Sequence, residues 1–229
     1  MTGKWIFCAG IVGLALALPS FADVVSGAGA GSLPFTALDL TGGPNPTEIT
    51  GALDTTNPDL AAMFEIHITH PEFFSATTID PGAFGIPDPA LFLFDSLGNG
   101  VYENDDTSGG NQQACLPSSS TIGNPCPATS SLGPLSVGNY FLAITISQNS
   151  PVDGANNEIF SPVLSTDVVG PNSGVGRMEG WDGGFFTSPD FDNVKYDIII
   201  SDSPEPAAWP VTLALGLGLV FFRRKLRAQ

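Results

Sequence analysis

Basic residues are scarce in this chain. Only seven of its 229 residues are Lys or Arg, against 23 Asp and Glu, and five of the seven stand near the ends: Lys4, Arg223, Arg224, Lys225 and Arg227. From Asp23 to Ser203, 181 residues, 22 acids face just two bases, Arg177 and Lys195, which leaves a formal net charge of −20. Such a surface repels nucleic acid and anionic lipid and attracts cations. Most of its carboxylates lack an ion-pair partner, so they must be solvated, screened or bound to metal ions. Solubility is the plain reason for most of them.

Cysteine is nearly as rare. Of the three, Cys8 lies inside an N-terminal apolar run, behind Trp5-Ile6-Phe7 rather than after small residues at its end, which argues against a lipidated cysteine. Cys115 and Cys126 are expected to form a disulfide in an exported chain. The enclosed stretch, Leu116 to Pro125, is rich in Ser, Pro, Gly and Asn, so the bond is expected to clip an exposed loop rather than join two sheets. Histidine occurs twice, at His67 and His70. Residues three apart on a strand point to opposite faces, so the pair reads as surface histidines rather than as a zinc site. No Gly-x-Ser-x-Gly elbow is present. With 22 acids, some carboxylate pair always has glycosidase spacing, so that pattern singles out nothing.

Long apolar runs occur only at the two ends. Lys4, the run Trp5 to Leu18 and the small-x-small triplet Ser20-Phe21-Ala22 read as a secretory signal peptide, residues 1–22, cut before Asp23. Near the other end, Ala207 to Phe222 is an uncharged run of 16 residues. As a helix it reaches about 24 Å, short of a ~30 Å hydrocarbon core, and snorkelling basic ends make up the difference. Basic flanks stay cytoplasmic, so everything before Pro204 is expected on the far side of the membrane. In order, Pro204-Glu205-Pro206, the apolar run and the cluster Arg223, Arg224, Lys225 and Arg227 resemble the PEP-CTERM sorting signal of Gram-negative bacteria. That resemblance covers residues 204–229. It implies recognition by a membrane sorting enzyme of the exosortase type, cleavage near the triplet, and an origin in bacteria that make exopolysaccharide. An ordinary C-terminal membrane anchor is the alternative.

The interior, 23–203, has a length that suits one domain. Its abundant Gly and Pro and its short β-branched or aromatic runs point to an all-β fold, and nothing between the tails shows helical periodicity. Expected strands are Ala62 to Thr69, Ala90 to Asp95, Tyr140 to Ser147, Glu158 to Leu164 and Lys195 to Ser201, with weaker ones at Phe35 to Leu40, Glu48 to Ala52 and Phe73 to Thr78. Alternation in Phe64-Glu65-Ile66-His67-Ile68 puts the three apolar side chains inward and Glu65 and His67 outward. Leu91-Phe92-Leu93-Phe94 and Ile198-Ile199-Ile200 are unbroken, as in strands buried on both faces. An antiparallel β-sandwich accommodates both patterns. Residues 23–34, with their Gly-Ala run, read as a flexible lead-in.

Leu91-Phe92-Leu93-Phe94-Asp95, the Gly98-Asn99-Gly100 turn, Asn104-Asp105-Asp106 and the later Gly138-Asn139-Tyr140 strand resemble the bacterial pre-peptidase C-terminal domain. Asp59 before Phe64-Glu65-Ile66, and Tyr196-Asp197-Ile198, match its earlier and last strands. The resemblance, over about Glu48 to Ser201, implies a jelly-roll-like, non-catalytic sandwich accompanying secreted proteins and sometimes calcium-bound. This chain departs from it by insertions between Asp106 and Leu132 and from Gln148 to Asn193.

Asp95, Asn99, Asp105 and Asp106, with Glu103 and Asn104 between them, are candidate calcium ligands, since that ion takes six to eight oxygens and a Gly-containing turn can converge them. The alternative is a hairpin turn followed by a solvated bend. A second cluster, Asp182, Asp190, Asp192 and Asp197, is weaker. Trp181, among glycines and near Phe185-Phe186, is a candidate for stacking on a sugar ring, or else a core aromatic. The function expected is that of an exported, non-catalytic envelope or extracellular-matrix protein. A carbohydrate- or calcium-binding module comes second and a secreted hydrolase third.

Overall fold

The computed structural model describes residues 23–53, 59–78, 85–107, 112–126, 129–161, 167–183 and 193–203. The expected signal peptide and the whole expected sorting tail, including Pro204, Glu205, Pro206, Arg223, Arg224 and Lys225, lie outside the described residues, as do Phe185, Phe186, Asp190 and Asp192. Among the described residues no helix is long and apolar enough to cross a membrane.

Twelve strands and one 3-10 turn, Pro34–Thr36, are described. In chain order the strands are β1 (Val24–Ser26), β2 (Leu38–Asp39), β3 (Glu48–Leu53), β4 (Ala61–Ile68), β5 (Ser75–Thr78), β6 (Pro89–Asp95), β7 (Gly100–Asn104), β8 (Cys115–Leu116), β9 (Gly138–Ile146), β10 (Pro151–Asp153), β11 (Met178–Trp181) and β12 (Val194–Ser201). The first sheet has the order β1-β3-β12-β5-β8 and the second β2-β4-β9-β6-β7, while β10 and β11 form a separate ribbon. Up to β9, successive strands alternate between the two sheets, apart from the β6–β7 hairpin. Both sheets are mixed rather than purely antiparallel, because β1 pairs with β3, and β2 with β4, in parallel. The chain crosses from β1 to the second sheet and returns as β3, and that double crossing brings it back pointing the same way.

One core lies between the sheets. Ile49, Phe74, Ala76, Leu116, Tyr196 and Ile198 from the first sheet and its margins meet Phe64, Ile66, Leu91, Leu93, Leu142 and Ile144 from the second. In β4 the expected alternation holds: Phe64, Ile66 and Ile68 are buried and Glu65 and His67 half-buried. β6 divides its apolar run between two faces, with Leu91 and Leu93 turned into this core and Phe92 and Phe94 into a second one.

That second core is a third layer on the outside of the second sheet. Met63, Phe92, Phe94 and Phe141 are covered there by Ile159, Phe160, Met178 and Trp181, all from the chain between β9 and β12. Phe160 packs on Phe92 and Phe94 at ring-centroid distances of 5.7 and 5.8 Å. Each fully buried ring contributes about 1.5–3 kcal/mol. Ile199, by contrast, is only half-buried and β12 alternates throughout, so the Ile198-Ile199-Ile200 run is not buried on both faces. Among the described residues no third layer is assigned to the outer face of the first sheet.

Other expectations change locally. Glu158 to Leu164 is not a strand as far as it is described, since Glu158 and Phe160 make only single bridges, to Val152 and Pro171. Ile159 and Phe160 are both buried, as befits a segment lying flat on a sheet. The lead-in is bound, not free: β1 belongs to the first sheet, Gly27 N–H donates to Thr50 O at 2.7 Å, and Gly31 O accepts from Met63 N–H at 2.8 Å. Cys115 and Cys126 are bonded, with Cα atoms 5.7 Å apart. The first part of the clipped stretch is more than surface, because Cys115 and Leu116 form β8 and Leu116 is fully buried.

Three tests follow from this packing. The Tyr196 hydroxyl is buried without a hydrogen-bond partner and presses on Gly27 and Gly51, where a Cβ would collide with it. Tyr196→Phe should therefore be neutral or stabilising by up to about 1 kcal/mol, while Gly51→Ala should cost about 1–3 kcal/mol, both read by denaturant melts. Cys115→Ser should cost about 3 kcal/mol and still fold, and alkylation of both native cysteines without reductant would contradict the bond.

Candidate functional site

The β6–β7 hairpin decides the fate of the four expected calcium ligands. At its turn, Asp95 Oδ1 accepts the backbone N–H of Leu97 and of Asn99, both at 2.9 Å, and Oδ2 accepts the Asn99 side-chain amide at 2.8 Å. Gly98 supplies the left-handed conformation that the turn needs, with φ +85°. This carboxylate is thus engaged in closing the hairpin. Asp105 and Asp106 follow the opposite end of β7, so roughly 20 Å of extended chain separates them from Asn99. The set does not converge, because a strand and not a loop joins its halves. Among the described residues no group of three or more His, Cys, Asp or Glu side chains is placed to hold a metal ion.

A group of buried acids gathers at the Asp105 end. Glu103 stands opposite Phe92 in the β6–β7 register, hence on the outer face of the second sheet beneath the third layer, and is 7 % exposed. Val169 straps its backbone from the cover, with reciprocal N–H to O bonds of 2.9 and 3.0 Å. Asp105 is 8 % exposed and accepts the Ser147 hydroxyl at 2.8 Å, and Asp88 accepts the Gln112 amide at 3.1 Å. One oxygen in each of Asp88, Glu103, Asp105 and Asp106 is buried with no hydrogen-bond partner among the described residues.

Desolvation, with Asp105 and Glu158 beside it, pushes Glu103 up to about 8. Burial, opposed by the Ser147 hydrogen bond and assisted by the charges of Asp88 and Asp106, raises Asp105 to about 7. Burial and the Asp106 charge raise Asp88 as well. Among the described residues no ion pair reaches these groups: Arg177 pairs with Glu179 at 3.1 Å, and Lys195 belongs to the first sheet. What the arrangement can do chemically is hold protons that an unfolded chain would release.

The remaining candidates are dispersed. Trp181 is 9 % exposed, packs edge-on against Phe92 at 5.6 Å and donates its indole N–H to Ser32 O at 2.8 Å. With its ring built into the third layer it offers no open face to a sugar, which corrects the stacking expectation. Asp182 accepts the Ser150 N–H at the end of β11, whereas Asp197 lies on β12 in the first sheet, so these two acids do not meet. His67 Nδ1 pairs with Asn139 Oδ1 at 2.7 Å, and His70 Nδ1 lies 3.0 Å from Asp202 O.

Two acids that sequence reasoning passed over turn out to be structural. Asp153 accepts the N–H groups of Gly176, Asn157 and Ala155, which hold it well below the usual carboxylate range and knit the β10 turn to the approach to β11. Asp202, two residues before Pro204, accepts the backbone N–H groups of Thr69 and His70 at 2.7 and 2.8 Å, the Thr69 hydroxyl at 2.6 Å and the Asn45 amide at 3.2 Å. It ties the end of β12 in one sheet to the end of β4 in the other. An Asp just beyond a strand is an available hydrogen-bond cap, and that was its only sequence signal.

Compared with known proteins, the chain matches no family model, and no curated protein is detectably similar to it.

The raised groups fix a pH dependence. A carboxyl whose folded value lies above its unfolded one binds its proton more tightly in the folded state, so stability is fully present below the unfolded values near 4 and is lost as pH rises to the folded values, here about 7 to 8. The loss approaches about 1.4 kcal/mol per pH unit for each such group. Thermal melts should show a more stable fold at pH 5 than at pH 8, and Asp105→Asn should flatten the slope. Stability that climbs over this range would contradict the burial of these acids.

Proposed function

We propose that this chain is an exported, non-catalytic protein of the cell envelope or extracellular matrix, delivered through its C-terminal tail by an exosortase-type enzyme. In this reading it is structural or adhesive in an exopolysaccharide-linked setting. The observation that carries the reading is the order of the tail: Pro204-Glu205-Pro206, the apolar run 207–222, then Arg223, Arg224, Lys225 and Arg227. The signal-peptide pattern over 1–22 agrees with export. Two mixed sheets packed face to face agree with the jelly-roll-like sandwich that the pre-peptidase C-terminal resemblance implies. The acidic surface suits a secreted, soluble domain with no affinity for nucleic acid. The tail would hold the chain in the membrane until processing, after which the domain would remain at the cell surface or in the matrix.

Mass spectrometry of cell-associated and released protein tests the reading. Mature molecules should begin at Asp23 and end near Pro204-Glu205-Pro206, and deletion of 223–227 should leave the chain unsorted, because the helix loses the charges that fix its cytoplasmic end. Peptides running intact into 213–222 from most released molecules would overturn it.

A further inference from the structure

Both ends of the described domain leave from the same end of the sandwich. Val24 at the start of β1 pairs with Glu48, and Glu48 pairs in turn with Ile199 near the end of β12. Two strand spacings, about 10 Å, therefore separate the point where the chain enters from the point where it leaves. Asp202 bonds to Thr69 and His70 and so brings the end of β4 to this place. Through the register of β4 with β9 and of β9 with β6, the segment before Gly138 and the turn after Asp95 lie at this end too.

Exposed apolar side chains mark the same end. Leu97, at the tip of the β6–β7 turn, is 72 % exposed, and Val137 and Leu135, just before β9, are 61 % and 92 % exposed. Val24 at the start of β1 is 53 % exposed, and Ile122, 59 % exposed, is on the disulfide loop, where Ser120 N–H donates to Glu72 O. Each is unremarkable singly, but all of them lie at the end of the sandwich from which the chain leaves. The apolar run 207–222 begins four residues after Ser203. Four extended residues reach at most about 14 Å, so a run seated in a bilayer cannot leave the domain far from the headgroups.

We propose that this end of the sandwich, with Leu97, Leu135 and Val137 at its surface, is a membrane-resting face that seats on a zwitterionic lipid surface while the tail is in place. The inference rests on the reading of 207–222 as a membrane span. The lipid is zwitterionic rather than anionic because the domain carries −20 and offers just two basic side chains. The face orients the domain: the tail emerges beside the bilayer, the Pro204-Glu205-Pro206 triplet is held within reach of a membrane-embedded enzyme, and the opposite end points away. Once the tail is cut, a few apolar side chains alone hold weakly and the domain is free to leave.

The full chain reconstituted in phosphatidylcholine vesicles that carry a headgroup-attached photoreactive diazirine tests this, with crosslinked residues read by mass spectrometry. Crosslinks are expected at the margins of 207–222 and also at Leu97, Leu135 and Val137. The triple variant Leu97→Ser, Leu135→Ser, Val137→Ser should lose most of the domain crosslinks and keep those of the tail. Crosslinks at the tail alone would overturn the resting face and leave the span intact, whereas their absence from 207–222 would overturn the span itself. Equal labelling of Gln148 and Asn193, exposed just after β9 and just before β12 at the opposite end of the sandwich, would show a domain without orientation and defeat the proposal. So would protein–protein crosslinks in place of lipid ones at Leu135, which would assign the face to a second copy.

Discussion

The second sheet is apolar on both of its faces, and the rest of the structure accommodates that fact. Leu91 and Leu93 of β6 point into the sandwich while Phe92 and Phe94 point away from it, so a two-layer fold would leave aromatic surface in water. Described residues from the chain between β9 and β12 remove it. Ile159, Phe160, Met178 and Trp181 close over the outer face, and the bond from Trp181 to Ser32 O pins that cover to the N-terminal segment. Asp153 locks the two halves of the cover to each other through backbone N–H groups. A segment that looks like an interruption of the sandwich is thus what makes its second sheet tenable.

Charge sets the other constraint. A domain with 22 acids and two bases cannot neutralise its carboxylates by pairing, and it deals with them by position. Asp95, Asp153 and Asp202 are turned onto backbone N–H groups, where a negative charge is stabilised by hydrogen bonds rather than by cations. Glu103 and Asp105 are buried beside one another and retain their protons toward neutral pH. The hydrogen bonds to Asp153 favour its ionised state, whereas burial favours the neutral state of Glu103 and Asp105, so the fold gains from mild acidity.

Much of the architecture is legible in the sequence where a strand has one wet face, as in Phe64 to Ile68, or is bounded by a Gly-Asn-Gly turn, as with Gly98-Asn99-Gly100 after β6. β7 was hidden because its Glu103 and Asn104 read as part of a chelating loop, although Gly100 to Asn104 pairs with β6 and buries Tyr102 completely. Once β7 is a strand, Asp95 and Asp105 must fall at opposite ends of it, and the calcium set comes apart. Trp181 was ambiguous for a different reason. A Trp among glycines fits either a sugar platform or a core, and only the long-range contact with Phe92 decides between them. The burial of Asp105 against Ser147, 42 residues away, and the clamp on Asp202, more than 130 residues from Thr69 and His70, leave no local pattern to read.

The central claim, that the chain between β9 and β12 is an integral cover of the second sheet, meets its most direct test in a double-mutant cycle between Phe92 and Phe160, whose rings lie 5.7 Å apart across the layer boundary. Denaturant unfolding of Phe92→Ala, Phe160→Ala and the double variant gives the coupling. Each single change should cost about 3–5 kcal/mol, and the double variant should fall short of their sum by about 0.5–3 kcal/mol. Costs that add to within about 0.3–0.5 kcal/mol would mean that the two layers do not support each other, and the account would fail.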